Sequence, residues 1–242
     1  MAIFGAIAIV LLLHLFAFTS YYIPSTGMEN TLFQGERVLV NKWSYGLRLP
    51  FMSFFSYHRW GEKRVEKGDI VGFNNPANVL QPVIDRREIF ISRCDGTPGD
   101  TLLVDSLFSI VSSANRRNNF NEKPLYAYPL HTFIIPQKGK PIKIESWNRF
   151  LLKNTVVLHE KKQAEVIGDT LFIEDIPVSE YTFSQDYYWM VSGNSANWAD
   201  SRLFGLVPQN HIIGKAFLIW FSKEKETRVF KGYRWNRFFK AL

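Results

Sequence analysis

A single cysteine, Cys94, stands among 242 residues. An intrachain disulfide and a cysteine-built zinc knuckle are therefore both excluded, and the count leaves the compartment open. Charge is missing from the beginning of the chain: Ala2 to Ile23 holds no Asp, Glu, Lys or Arg. Long helical periodicity is missing after that stretch, and so is any internal repeat. No groove-reading motif accompanies the net charge of +7, and the basic residues are scattered. The positive balance thus points away from nucleic acid as a partner, and attraction to anionic lipid headgroups accounts for it equally well. Histidine is scarce, and His14, His58, His131, His159 and His211 make no triad-like grouping with an acid along the chain.

What is present begins with that uncharged segment. Ile3, Phe4, Ile7, Ile9, Val10, Leu11, Leu12, Leu13, Leu15 and Phe16 fill it. A helix rising about 1.5 Å per residue needs about 20 residues to cross a hydrocarbon core of about 30 Å. The segment predicts a single transmembrane helix over residues 1–23, with Tyr21 and Tyr22 at an aromatic belt. A cleaved leader is the competing reading, but it requires a basic start and a shorter apolar core, and Met1 to Phe4 carries no Lys or Arg. His14 reads as tolerated packing, and the flanking charge does not set an orientation.

Downstream the sequence reads as mainly β. Glu36–Asn41, Asp69–Phe73, Glu88–Arg93, Thr101–Val104, Thr155–His159, Thr170–Ile173, Tyr187–Ser192 and Ile212–Trp220 are short runs rich in β-branched and aromatic residues. Gly, Pro, Asn and Asp punctuate them. Ser106 to Asn121 reads as containing a loop, and Gln137 to Arg149 as a peripheral excursion. Lys231 to Lys240 interleaves basic and aromatic residues, as a lipid-interface segment or an ordinary domain edge would.

Three blocks then carry a resemblance. The first is Ile23-Pro-Ser-Thr-Gly-Met-Glu-Asn-Thr-Leu32, followed by Gly35-Glu-Arg-Val-Leu-Val-Asn-Lys-Trp-Ser-Tyr-Gly46. The second is Lys67-Gly-Asp-Ile-Val-Gly-Phe73 with Ile84-Asp-Arg-Arg-Glu-Ile-Phe-Ile-Ser-Arg-Cys-Asp-Gly-Thr-Pro-Gly-Asp100. The third runs from Tyr181 to Met190 and on through Gly193-Asn-Ser-Ala-Asn-Trp-Ala-Asp-Ser-Arg-Leu-Phe-Gly-Leu-Val-Pro208. In order and spacing they resemble the motifs of type I signal peptidases, membrane Ser-Lys endopeptidases that remove signal peptides from exported proteins. The resemblance implies a largely antiparallel β domain over residues 24–242 behind a single-pass anchor in the cytoplasmic (inner) membrane, with the bulk of the chain extracytoplasmic. It implies membrane lipid as a partner and no cofactor or metal.

The chemistry is where this sequence departs from that pattern. The residue before the Met of the first block, where the family has its nucleophilic serine, is Gly27. The position of the lysine general base, before Arg93, is Ser92. The serine that helps hold that lysine is replaced by Trp198, and the third block's opening Gly-Asp-Asn-Arg has become Ser192-Gly193-Asn194-Ser195. A serine hydroxyl attacks only when a base takes its proton, and a lysine does so only when desolvated and within hydrogen-bond reach. Glycine has no side chain to attack with, and serine is no base near neutral pH. Losing one member of such a unit leaves a residual rate of about 10³–10⁴ over water, and losing two costs little more.

Some of the family's supporting residues are present. Ser25 matches the serine that donates to the oxyanion, and Asp200 and Arg202 match an Asp-Ser-Arg whose implied role is an ion pair bracing the site. Gly96, Pro98, Gly99 and Asp100 make a turn. Ile23, Met28, Phe90 and Trp198 are expected to line a cleft that takes an extended peptide by strand addition. Three functions follow. The chain is a signal-peptidase-like pseudoenzyme that binds signal peptides or an active signal peptidase paralogue without cleaving. Alternatively it is an active serine-type endopeptidase with a non-standard nucleophile, for which Ser25 and Thr26 are the neighbours of the vacated position. Or it is an anchored structural and interaction β module.

Overall fold

The computed structural model describes residues 17–28, 31–49, 52–110, 129–193, 200–225 and 230–242. Its strands run in chain order as β1 (Phe18–Tyr22), β2 (Glu36–Asn41), β3 (Leu47–Arg48), β4 (Arg59–Trp60), β5 (Ile70–Asn74), β6 (Ile89–Gly96), β7 (Thr101–Val104), β8 (His131–Ile134) and β9 (Pro141–Lys143). They continue as β10 (Ala164–Ile167), β11 (Thr170–Ile173), β12 (Ile176–Val178), β13 (Glu180–Thr182), β14 (Tyr187–Val191), β15 (Val207–Pro208), β16 (Ile212–Ser222) and β17 (Lys240–Ala241). The described α-helices are short: α1 (Arg149–Thr155) and α2 (Ser201–Phe204). The chain divides into two compact units. One comprises residues 1–94, 191–200 and 210–242, the other residues 95–190 and 201–209.

In the first unit the strands lie in the order β1-β2-β16-β5-β6, with β17 against β16. Each neighbouring pair is antiparallel. Alternation on β2 explains its facing: Val38 and Val40 are fully buried, while Arg37 and Leu39 on the other face are exposed and half-buried. β5 is buried at every position, as suits a strand between two partners; its apolar run Ile70–Phe73 ends on Asn74, whose Oδ1 accepts from Arg48 Nη1 at 3.1 Å. β16 is long, and its register against β2 shifts between Ala216 and Leu218 and again between Ile219 and Phe221. Such bulges increase the local twist. Ile23, Met28, Leu32, Val38, Val40, Ile70, Ile213, Ala216 and Ile219 form one buried cluster, and each fully buried aliphatic side chain there is worth about 1.5–3 kcal/mol relative to exposure.

The N-terminal helix expected over residues 1–23 is not what the described part of that segment forms. Residues 1–16 lie outside the described residues. Phe18–Tyr22 is strand β1, paired with Arg37–Asn41 of β2 from Phe18 opposite Asn41 to Tyr22 opposite Arg37. The physical reason is the ladder: β2 offers an otherwise open edge, and Ile23 N–H continues the pairing by donating to Glu36 O at 2.8 Å. Among the described residues no helix is long and apolar enough to cross a membrane.

The second unit is built from small antiparallel sheets: β7 with β8, β9 with β13, β10-β11-β12 and β14 with β15. Aromatic rings hold it. Phe133 meets Trp147 and Trp189 edge-on, each with centroids 5.9 Å apart, and His131 stacks on Trp147 at 4.6 Å. Thr155–His159, expected as a strand, is the end of α1 followed by a π-turn over Val156–Glu160. Burial of Leu152, Thr155 and Val156 and a Thr155 hydroxyl that donates to Leu151 O at 2.8 Å override the low helix propensity of that β-branched run. The excursion expected over Gln137–Arg149 contributes β9 to a sheet, and most of the expected 106–121 loop lies outside the described residues.

Candidate functional site

β1 delivers the chain to Ile23, and the turn that follows carries Ser25, Thr26, Gly27 and Met28. Gly35 N–H donates to Ile23 O at 3.0 Å, while Thr31 N–H and Leu32 N–H donate to Met28 O at 3.0 and 2.8 Å. Leu32 is fully buried and Ile23 and Met28 are each 5% exposed, so the turn is pinned to the core at both ends. Gly35 is required by geometry: its φ is +90° and a Cβ there would sit 1.9 Å from Lys223 O. From outside, Arg93 Nη2 donates to Thr31 Oγ1 at 2.8 Å and Arg237 Nη2 to Thr31 O at 2.8 Å.

Opposite this turn lies β6. Between them opens a cleft of about 530 Å³ whose lining includes Tyr21, Tyr22, Ile23, Ser25, Gly27, Met28, Glu88, Ile89, Phe90, Ile91, Ser92 and Ser192. Gly27 and Ser92 therefore face the same space. Ser92 is 1% exposed and sits opposite Val71 in the β5–β6 ladder. Gly27 N–H lies 3.5 Å from Ser25 Oγ, a long hydrogen bond in which the hydroxyl accepts.

The lining has little that can move a proton. Its titratable side chains are Tyr21, Tyr22 and Glu88, with no lysine or histidine among the described lining residues. Burial raises the Tyr21 hydroxyl above its usual range, against the pull of Arg48, so it stays protonated near neutral pH. Glu88 is exposed and accepts from Asn75 Nδ2 at 3.4 Å. The described histidines are occupied elsewhere. His58 packs edge-on against Trp60, His131 stacks on Trp147, His159 lies beside Tyr187, and His211 is 3.1 Å from Arg87 Nη1. His14 lies outside the described residues. Among the described residues no group of three or more His, Cys, Asp and Glu side chains is placed to hold a metal.

Asp200 is fully buried, and its carboxylate accepts from Ser192 N–H at 3.3 Å and Ser192 Oγ at 3.0 Å. A buried carboxylate thereby fixes one residue of the cleft wall. Arg202 lies on α2, in the second unit. In that unit Asp100 Oδ2 accepts from Thr97 N–H and Thr97 Oγ1, both at 2.8 Å, which closes the Gly96–Asp100 turn, with Gly99 at φ +88°. Thr26 is half-buried and is not part of the cleft lining. Trp198 lies outside the described residues. Sequence reasoning did not single out Tyr21, Ile89 or Ile91 for the cleft. Their signal was proximity in the chain, since each lies within two residues of Ile23 or Phe90.

Comparison with known proteins bears on the family. The profile of the family described as "Signal peptidase, peptidase S26" matches residues 1–221. The chain is 28% identical over 272 residues to signal peptidase I of Haemophilus influenzae, covering all of this chain and 74% of that protein. It is 30% identical over 236 residues to signal peptidase I of Pseudomonas aeruginosa, covering 90% of this chain and 70% of that one. It is 26% identical over 236 residues to signal peptidase I of Aquifex aeolicus, covering 91% and 82%. A match over most of the chain, together with a mainly antiparallel β fold, settles the family: this chain belongs to the signal peptidases of peptidase family S26.

Proposed function

We propose that this signal peptidase homologue is a pseudoenzyme: it binds an extended peptide of the signal-peptide class in the β1–β6 cleft and does not cleave it. One observation carries the reading. The two positions that would supply nucleophile and base, Gly27 and Ser92, both face a cleft that is otherwise formed and lined by Ile23, Met28, Phe90 and Ile91. The ligand is a signal peptide, or an active signal peptidase paralogue that this chain regulates. The stretch from Ala2 to Phe16, which holds no Asp, Glu, Lys or Arg, supports membrane anchoring, and the placement of the β portion outside the cytoplasm rests on the family alone.

The test pairs binding with turnover on one labelled signal-peptide substrate and the full chain in detergent. The expected result is saturable binding with no product. Product that disappears on Ser25→Ala or Thr26→Ala would show a rescued nucleophile and end the pseudoenzyme reading.

A further inference from the structure

A second cavity, of about 340 Å³, opens beside the cleft. The two share Tyr21 and Ile89. The pleat explains the sharing. Tyr21 and Ile23 point to one face of the chain, as do Ile89 and Ile91 on β6. Two residues along either run, about 7 Å, lead from one cavity to the other.

The second lining differs in kind. Three cationic side chains, Lys42, Arg48 and Arg86, accompany a single carboxylate, Asp85. Arg48 and Asp85 neutralise each other through Nη2 to Oδ1 at 2.8 Å. Arg48 Nη1 further donates to Asn74 Oδ1 and Asn210 O, each at 3.1 Å, and Asp85 Oδ2 accepts Met52 N–H at 2.9 Å. Counted over the lining, three cations meet one carboxylate, and Lys42 and Arg86 are the two cations besides the Arg48–Asp85 pair. Burial lowers the Lys42 ammonium pKa and repulsion from Arg48 adds to this, against the attraction of Asp85. An anion held there would offset that repulsion. Glu88 belongs to the lining of the main cleft and not to this cavity.

We propose that this second cavity is a subsite for an acidic side chain: the peptide in the main cleft carries an Asp or Glu whose carboxylate sits between Lys42 and Arg86. The inference rests on the peptide-binding reading above. It fixes a spacing as well as a charge. Side chains on one face of an extended peptide recur every two residues, so the acidic residue stands two or four positions from the residue lying over Ile91.

The experiment uses the full chain in detergent and fluorescein-labelled peptides identical but for Glu or Gln at those positions, read by anisotropy. At low ionic strength the Glu peptide is expected to bind about fivefold more tightly, and the preference shrinks as salt is added. Lys42→Met and the exposed Arg86→Gln each weaken the Glu peptide and leave the Gln peptide unchanged. Equal affinity of the intact protein for both peptides at both spacings overturns this subsite and leaves peptide binding standing. A Glu preference that survives both substitutions puts the carboxylate elsewhere and overturns it too. Binding of neither peptide overturns the subsite and the peptide reading together.

Discussion

Glu36 and Arg237 are 201 residues apart in the chain and make the most heavily bonded buried ion pair among the described residues. Arg237 Nε donates to Glu36 Oε1 at 2.8 Å and Nη2 to Oε2 at 2.9 Å. Ser222 Oγ and Phe33 N–H add donors at 2.9 and 3.0 Å, and the guanidinium lies 4.5 Å from the Phe33 ring centre. Removing one partner of such a pair leaves a buried charge without its counterion and costs about 3–5 kcal/mol. Glu36→Gln keeps the shape and removes the charge. Taking about 3 kcal/mol, and about 2–4 °C of Tm per kcal/mol for a protein of this size, its midpoint should fall by about 6–12 °C. The carboxyl group is burdened by burial, but its hydrogen bonds from Arg237, Phe33 and Ser222 together hold its pKa below the usual value. A depressed carboxylate contributes stability above its unfolded-state pKa and loses it as pH falls through the folded-state pKa. Melting followed by near-ultraviolet circular dichroism between mildly acid and neutral pH should show that acid-side loss in the intact protein and not in Glu36→Gln. Arg237→Met should fall as far as Glu36→Gln, and Glu36→Gln with Arg237→Met should fall by less than the sum. Single variants within about 1 kcal/mol of the intact protein would refute the argument, since that is the range of an exposed pair.

Two further expectations concern the site and the topology. Gly27→Ser alone should stay inert, Gly27→Ser with Ser92→Lys should recover some cleavage, and adding Trp198→Ser should recover more. Initial rates on one signal-peptide substrate decide it, and a folded triple variant as inert as the starting protein would show that the cleft itself has diverged. A reporter fused after Leu242 should be active outside the cytoplasm, and activity confined to the cytoplasm would contradict the proposed orientation.

The strands that the sequence made legible are those whose pattern is set by burial. β2, β7 and β11 fall where alternating or β-branched runs placed them, because one face of each meets a core. The strands that escaped, such as β3 at Leu47–Arg48 and β15 at Val207–Pro208, are two residues long, too short for any period to register. β1 escaped for a different reason. Its residues continue an uncharged run, and hydropathy alone does not distinguish a strand on the edge of β2 from the end of a helix. The vacated positions were legible as residue types, but that both face one cleft required the fold, which sets the turn after β1 opposite β6. The second cavity was not legible at all, since Lys42 and Arg48 come from one stretch and Asp85 and Arg86 from another, and only the fold brings the two together, through the Arg48–Asp85 ion pair.

What the cleft is lined with also separates a peptide binder from an inert structural module. Ile23 and Met28 belong to the buried cluster of the first unit, so packing alone accounts for them and they argue for neither reading. Asp200 is likewise accounted for by the wall it fixes through Ser192. Tyr22 and Ile89 are different: they line the cleft while remaining 43% and 37% exposed. Neither fills the core, and apolar surface left in water gains nothing for folding. A polar side chain at either place would leave the β1 and β6 ladders as they are. On the proposed reading, an extended peptide lying in the cleft along the outer edge of β1 would cover both at once. Tyr22→Ser and Ile89→Ser should therefore weaken peptide binding while leaving the melting midpoint nearly unchanged. A module without a ligand would show neither effect on binding nor, for these two exposed positions, any cost in stability.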